Sequence, residues 1–241
     1  MSLSDHIIAN TASLKKLLQG IGIGDGNISV IPTGIDLEFF QGADPQLVRP
    51  KYGLGNRPVV LYTGTLDVFQ GIDLLLLAFH QVCRQMPEAV LLILGSTVHP
   101  EHLEKYRGLA AELGMEGSMI LAEAPFSELP HYLAAADVAT VPRPTSFGMP
   151  VKLLNYLAMG LPVVSFAGSA EILQDTGAAL LIPGADWSAF GEGILRLLQD
   201  REYASELGQR GRKLIETEYN LPTICDKISQ VYQKLVKEQT S

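Results

Sequence analysis

The chain has 241 residues, 47% of them hydrophobic and 18% charged, with a formal net charge of −8 at pH 7. That length suits one large domain, or one domain with part of another, and no apolar run approaches the ~18 residues that would span a bilayer. The negative field repels polyanions, which argues against general affinity for nucleic acid or acidic lipid and leaves room only for an anion in a local pocket.

Residues 1–44 carry HIIA (6–9), a helical pattern over 13–19 and ISVIP (28–32), a strand, helix, strand prefix. The Gly-rich GIGIGDG (20–26) lacks the spacing of a dinucleotide fingerprint and reads as a helix stop and turn. A domain boundary is expected near Asp44-Pro45. From Pro58 onward β-rich runs recur: VVLYTG (59–64), VLLILG (90–95), MILA (119–122), VATVP (138–142), PVVSF (162–166) and ALLIP (179–183). Helical patterns over 72–86, 102–113, 129–136 and 187–198 alternate with them. The runs are apolar throughout, not alternating, as strands covered on both faces must be. The predicted class is α/β: a Rossmann-like, doubly wound parallel sheet of about six strands. Patterns over 203–218 and 222–237 add C-terminal helices as a strap. Cys83 and Cys225 sit in helical patterns without metal or redox spacing, which fits core packing and a reducing cytoplasm.

Ligands of an open parallel sheet lie beyond the carboxyl ends of its strands. Those ends fall at Gly64-Thr65, Gly95-Ser96, 122–126, 142–148 and 167–169, all rich in small residues. The segment RPTSFGMPVKLLNYLAMGLPVV (143–164) is the most specific of them. Pro150 suits the first helical position, which leaves the amides of Val151, Lys152 and Leu153 free at a helix mouth. Such a mouth favours phosphate, and Lys152 adds a full charge. Asn155, three residues on, shares its face and offers a donor and an acceptor. The remaining helix positions are nearly all apolar, Gly160 closes the helix and Pro162 prevents its continuation. The competing reading has Lys152 snorkelling to solvent and Asn155 making a local cap.

The five histidines, at 6, 80, 99, 102 and 131, show no zinc spacing, so no metal site is expected; His99 and His102 flank Pro100 and read as a solvated helix start. No serine sits in a Gly-x-Ser-x-Gly elbow, and no cysteine has an evident base.

ISVIPTGIDLEFF (28–40), YTGTLDVFQGIDLLLLAF (62–79) and GLPVVSFAGSAEILQDTGAALLIPGADWSAFGEGILRLLQD (160–200) resemble, in that order, the hinge motif, glycine loop and tail of the retaining GT-B glycosyltransferases of the group-one family. The resemblance implies that 1–44 is the end of an N-terminal domain with its hinge. It implies that 45–241 is the nucleotide-sugar (donor) binding domain, whose acceptor half is missing. It places the base near Pro125-Phe126 and the diphosphate at Gly64-Thr65, in the loop that also carries Gln70, and at the helix start after Gly148, with Pro150, Val151 and Lys152. The donor sugar would lie beside Ser146, Phe147, Gly148 and Met149. Such enzymes transfer a sugar from a nucleoside diphosphate carrier to a hydroxyl with retained configuration, and generally without metal or other cofactor. The acceptor would be a glycan, a lipid-linked sugar or a small hydroxyl compound. A cytoplasmic location is implied, with room for peripheral association of the full-length protein with a membrane. A general base would come from the absent half, so no catalytic residue is assigned.

The chain also departs from the family. Thr65 and Gln70 stand where most members carry Arg and Lys, and Phe147 and Asn155 where they carry two acids eight apart. A subset with Gly-Thr and Gln-Gly in the first loop has a Pro-Arg…Pro-x-Lys pattern, matched by Pro142-Arg143 and Pro150-Val151-Lys152; there Arg143 and Lys152 would replace the missing charge. Glu171 would touch the donor sugar or ribose, or else act at a helix N-terminus through the dipole. The lost positions also admit a catalytically silent nucleotide-sugar-binding module. A dehydrogenase-like protein would need a Gly-x-Gly-x-x-Gly turn after the first sheet strand, which Gly64-Thr65-Leu66-Asp67 does not supply.

Overall fold

A computed structural model describes residues 4–96, 99–146 and 148–239. The prefix forms β1 (Ile7–Ala9), α1 (Ala12–Gly20) and β2 (Ile28–Val30), with β1 and β2 paired in parallel from Ile7 opposite Ile28 to Ala9 opposite Val30. Thr11 caps α1 by accepting from the Leu14 amide at 3.0 Å, the usual role of a threonine at that position.

The main sheet comprises β3 (Val59–Gly64), β4 (Val90–Gly95), β5 (Met119–Glu123), β6 (Val138–Val141), β7 (Val163–Phe166) and β8 (Leu180–Ile182). Every neighbouring pair is parallel, in the order β5-β4-β3-β6-β7-β8. Chain order runs outward from β3 in one direction and from β6 in the other, so the reversal falls between these two strands. That crevice is where doubly wound sheets hold ligands.

Among the described residues seven more α-helices follow: α2 (Ile72–Gln85), α3 (Pro100–Glu112), α4 (Leu129–Ala134), α5 (Val151–Ala158), α6 (Trp187–Gln199), α7 (Arg201–Leu214) and α8 (Leu221–Gln239). A π-helical turn over Ile215–Tyr219 joins the last two. Along β3, Val59 and Leu61 enter one apolar layer with Tyr132, Leu153 and Leu157, while Val60 and Tyr62 enter the other with Leu75, Phe79 and Ile194. A strand buried on both faces has no polar side to show, which is why these runs read as continuously apolar.

Several helix starts differ by a residue or two from the sequence reading, and at α3 and α5 the cause is visible. α3 begins at Pro100, two residues before the expected His102, because proline fits the first helical position and His99 is extended before it (φ −78, ψ 133). α5 begins at Val151, one residue after Pro150, whose ψ of 114 leaves it extended as the cap. Cys83 is half-buried against the second apolar layer, but Cys225 is exposed on α8, against the expectation that both pack in the core.

The segment between β2 and β3 is pinned to the main body. Ile35 forms a parallel bridge with Asn220: its amide donates to Tyr219 O and its carbonyl accepts from the Leu221 amide, both at 2.8 Å. Asp44, at the expected boundary, caps a 3-10 turn over Pro45–Leu47, accepting from the Gln46 amide at 2.9 Å. Among the described residues no helix is long and apolar enough to cross a membrane.

Candidate functional site

A cavity of 370 Å³ opens at the carboxyl ends of β3 and β4, beside the mouth of α5. β3 contributes Thr63 and Gly64; Thr65 and Gln70 follow it. β4 contributes Gly95, the loop after β5 contributes Phe126, and the loop after β6 contributes Arg143. Pro150, Val151, Lys152 and Asn155 close the wall. Ten of the fifteen residues singled out from the sequence therefore meet in one cavity.

Lys152 is its electrostatic centre. The ammonium donates to Tyr62 Oη at 2.8 Å and to Gln70 Oε1 at 3.1 Å, and lies 4.0 Å from the centroid of the Tyr62 ring. Gly64 makes room for it: φ there is +131, and a Cβ would come within 2.7 Å of Nζ. Arg143 stacks 4.9 Å from the Phe69 ring centroid and donates from Nε to Thr145 O at 2.8 Å. Among the described residues no carboxylate lies within ion-pair distance of either cation. Burial, and then the like charge of Arg143, pull the Lys152 ammonium down to about 7. A buried cation with only neutral partners is costly, and an anion in the cavity removes that cost.

The helix mouth adds to this. Among the described residues no side chain caps α5. The Leu153 amide, expected to be free, donates to Pro150 O at 3.0 Å, which leaves the amides of Val151 and Lys152 as the anion-facing pair. Tyr156 fixes where that mouth points: its hydroxyl accepts from the Thr63 amide at 2.8 Å and shares a 3.1 Å hydrogen bond with Thr63 Oγ1. Burial pushes the Tyr62 and Tyr156 phenols up, so both stay neutral at ordinary pH.

Ser146, Gly148, Met149 and Glu171 fall outside the large cavity. They line a narrow cleft of 10 Å³ together with Thr11, Gly168, Ser169 and Ile172. Ser146 Oγ donates to Gly148 O at 2.5 Å. Glu171 Oε1 accepts from the Ser13 amide in the first turn of α1 at 3.2 Å. Ser169 Oγ and Asn10 Oδ1 are buried in the same region and find no hydrogen-bond partner among the described residues. Phe147 lies outside the described residues.

The sequence reading missed the two tyrosines. Tyr62 and Tyr156 counted as apolar members of a buried strand and a buried helix, yet their hydroxyls hold Lys152 and position α5. Buried tyrosines usually find a hydrogen-bond partner, and that rule, applied beside Gly64, was the available signal.

The family model described as "Glycosyl transferases group 1" matches residues 57–200. The GDP-mannose-dependent alpha-(1-6)-phosphatidylinositol monomannoside mannosyltransferase of Mycolicibacterium smegmatis is 32% identical over 194 residues, covering 76% of this chain and 50% of that protein. The chain thus spans about half the length of the curated relatives it matches. Among solved structures, Anabaena HepE in complex with UDP-glucose superposes with a TM-score of 0.86 at 20% identity, covering 95% of this chain and 64% of the other. Sucrose-phosphate synthase from Thermosynechococcus elongatus superposes with a TM-score of 0.83 at 27% identity, covering 97% of this chain and 59% of that one. The six-stranded sheet is that of the Rossmann-like C-terminal half of GT-B enzymes. With the family match running from the first strand of that sheet to the end of α6, the chain belongs to the group 1 glycosyltransferases.

Proposed function

We infer that the 370 Å³ cavity holds the nucleoside diphosphate of an activated sugar, and that the chain is the donor-binding part of an enzyme transferring that sugar, with retained configuration, to an acceptor hydroxyl. The observation that carries this is the pairing of Lys152 and Arg143, without carboxylate partners, with the open mouth of α5. A diphosphate leaving group is stabilised by fixed cations and oriented amides aimed at its developing charge. These groups supply the neutralisation that a divalent ion gives elsewhere, so transfer is expected to proceed without metal.

Residues 1–44 are read as the end of an acceptor-binding half that completes the enzyme. One relative's name supports a lipid-linked acceptor: it is a phosphatidylinositol monomannoside mannosyltransferase. A reaction at a membrane surface on its cytoplasmic side fits such an acceptor. The test is a thermal-shift screen of UDP-, GDP- and ADP-sugars. A ligand bound only by the folded chain raises its apparent melting temperature. A chain that responds to none of the three does not bind donors here.

A further inference from the structure

Two phenylalanines far apart in sequence are stacked at the rim of the cavity. The rings of Phe39 and Phe126 lie 4.8 Å apart between centroids with an interplanar angle of 10°. Phe39 is itself held edge-on by Phe40, at 5.1 Å and 84°, and Phe40 is only 7% exposed, inside the first apolar layer. Phe126 opens the 3-10 turn over Phe126–Glu128 that leads into α4. It remains 68% exposed although Phe39 covers one of its faces. The same residue lines the cavity that contains Lys152.

A large aromatic side chain on a short turn beside a polar cavity would ordinarily sample several rotamers. Here a chain of rings, from Phe40 in the core through Phe39, fixes its plane. The segment bearing Phe39 is tied to α4 a second time, where the Asp44 amide donates to His131 Nδ1 at 2.9 Å. Phe126 thus adds an exposed, stacked aromatic ring to the same cavity as a phosphate-seeking cation and helix mouth. A ligand with a flat π system at one end and a diphosphate at the other matches that pair of features, because bases of any identity stack on an aromatic face.

We propose that Phe39, outside the cavity, is a positioning residue for nucleobase binding: it backs one face of Phe126 so that the other is presented to the base. This rests on the donor-binding reading above. It makes the linker between β2 and β3 part of the donor site, since a displacement of Phe39 from Phe126 loosens the base platform.

The test is calorimetry on the 241-residue chain with UDP, GDP, ADP and inorganic pyrophosphate. For the nucleotide that the wild type binds best, Phe39→Ala is expected to weaken affinity about fivefold, in line with the worth of a stacked aromatic pair. Its pyrophosphate affinity should be unchanged, and Phe39→Tyr should restore nucleotide affinity. Nucleotide binding by Phe39→Ala at wild-type affinity overturns the positioning role alone. Equal losses of nucleotide and pyrophosphate also overturn it, since the ring would then merely support the fold. If the wild type binds pyrophosphate or nothing, and no nucleotide better, the donor-binding reading falls and the role of Phe39 with it.

Discussion

The Lys152 ammonium is held by one aromatic residue in two ways, 2.8 Å from the Tyr62 hydroxyl oxygen and 4.0 Å from the centroid of its ring. The hydroxyl's own hydrogen goes to Thr65 O at 2.6 Å, so its lone pairs are left for the lysine. Both contacts orient the cation, and neither neutralises it. The folded chain therefore carries a charge whose natural partner comes from outside.

A stability–affinity trade-off is the first consequence. Lys152→Met removes a buried charge with no carboxylate partner and keeps most of the side-chain volume. In urea titration at pH 7 the ligand-free variant should be more stable by roughly 1–3 kcal/mol. Its affinity for a nucleoside diphosphate, by calorimetry, should be lower by about 10- to 100-fold, the worth of a hydrogen bond to a charged group. A variant that loses stability and keeps affinity would place the anion elsewhere.

Affinity should also depend on pH. The Lys152 pKa is depressed in the folded chain, from 10.5 to about 7. Between those values the unfolded chain holds a proton that the folded chain has released, so this group's contribution makes stability rise with pH across that window; below about 7 its penalty is felt in full. A bound diphosphate favours the charged lysine and draws a proton back. The affinity of a nucleotide sugar, which has no phosphate titrating near neutrality, should therefore fall as pH rises above about 7, by up to ~tenfold per unit. Calorimetry in buffers of different ionisation enthalpy would register the proton uptake. Lys152→Arg should flatten the profile, because a guanidinium does not titrate there; a slope that persists in that variant would assign the proton to another group.

The strands of the main sheet were legible because burial on both faces leaves a continuous apolar run: VVLYTG and VLLILG match β3 and β4 residue for residue. The helix mouth was legible from Pro150 and Lys152, since a proline halts the chain just ahead of the helix and a lone cation in its apolar first turn calls for an anion or for solvent. What periodicity does not encode is which long-range partner a side chain meets. Glu171 satisfies the α1 amide of Ser13, 158 positions away, and nothing local to Gly168-Ser169-Ala170 signals it. Tyr62 and Tyr156 were hidden by their own hydrophobicity, because a phenol in a buried run counts as apolar until its hydroxyl is traced to a partner.

Tyr156 sets the direction of α5, and its contribution can be measured separately. Thr63 is 6% exposed, and its amide donates to the Tyr156 hydroxyl. Tyr156→Phe keeps the ring and strands that amide, which should lower stability by about 1–3 kcal/mol in urea titration. Nucleotide affinity should fall as well, since the mouth of α5 loses its tie to β3. Unaltered stability would show that another acceptor, such as water, reaches the Thr63 amide.

At the opposite end of the same strands, Asp137 should behave in the contrary way. Its carboxylate accepts from Arg49 Nη2 at 3.1 Å, from Arg201 Nη1 at 2.8 Å and from the Val59 amide at 2.8 Å. It thereby joins the linker, the start of α7 and the first residue of β3, and its side chain is only 18% exposed. Asp137→Asn keeps one acceptor but leaves two guanidinium groups without a counter-charge, and Arg49, at 19% exposure, cannot turn freely to water. Breaking a partly buried pair from one side should lower stability by about 2–4 kcal/mol in urea titration. Nucleotide affinity of the variant that remains folded should match the wild type, because the cavity lies beyond the other ends of these strands. An affinity loss comparable with that of Lys152→Met would mean that the two ends of the sheet are coupled, and that the separation of a stabilising end from a binding end does not hold for this chain.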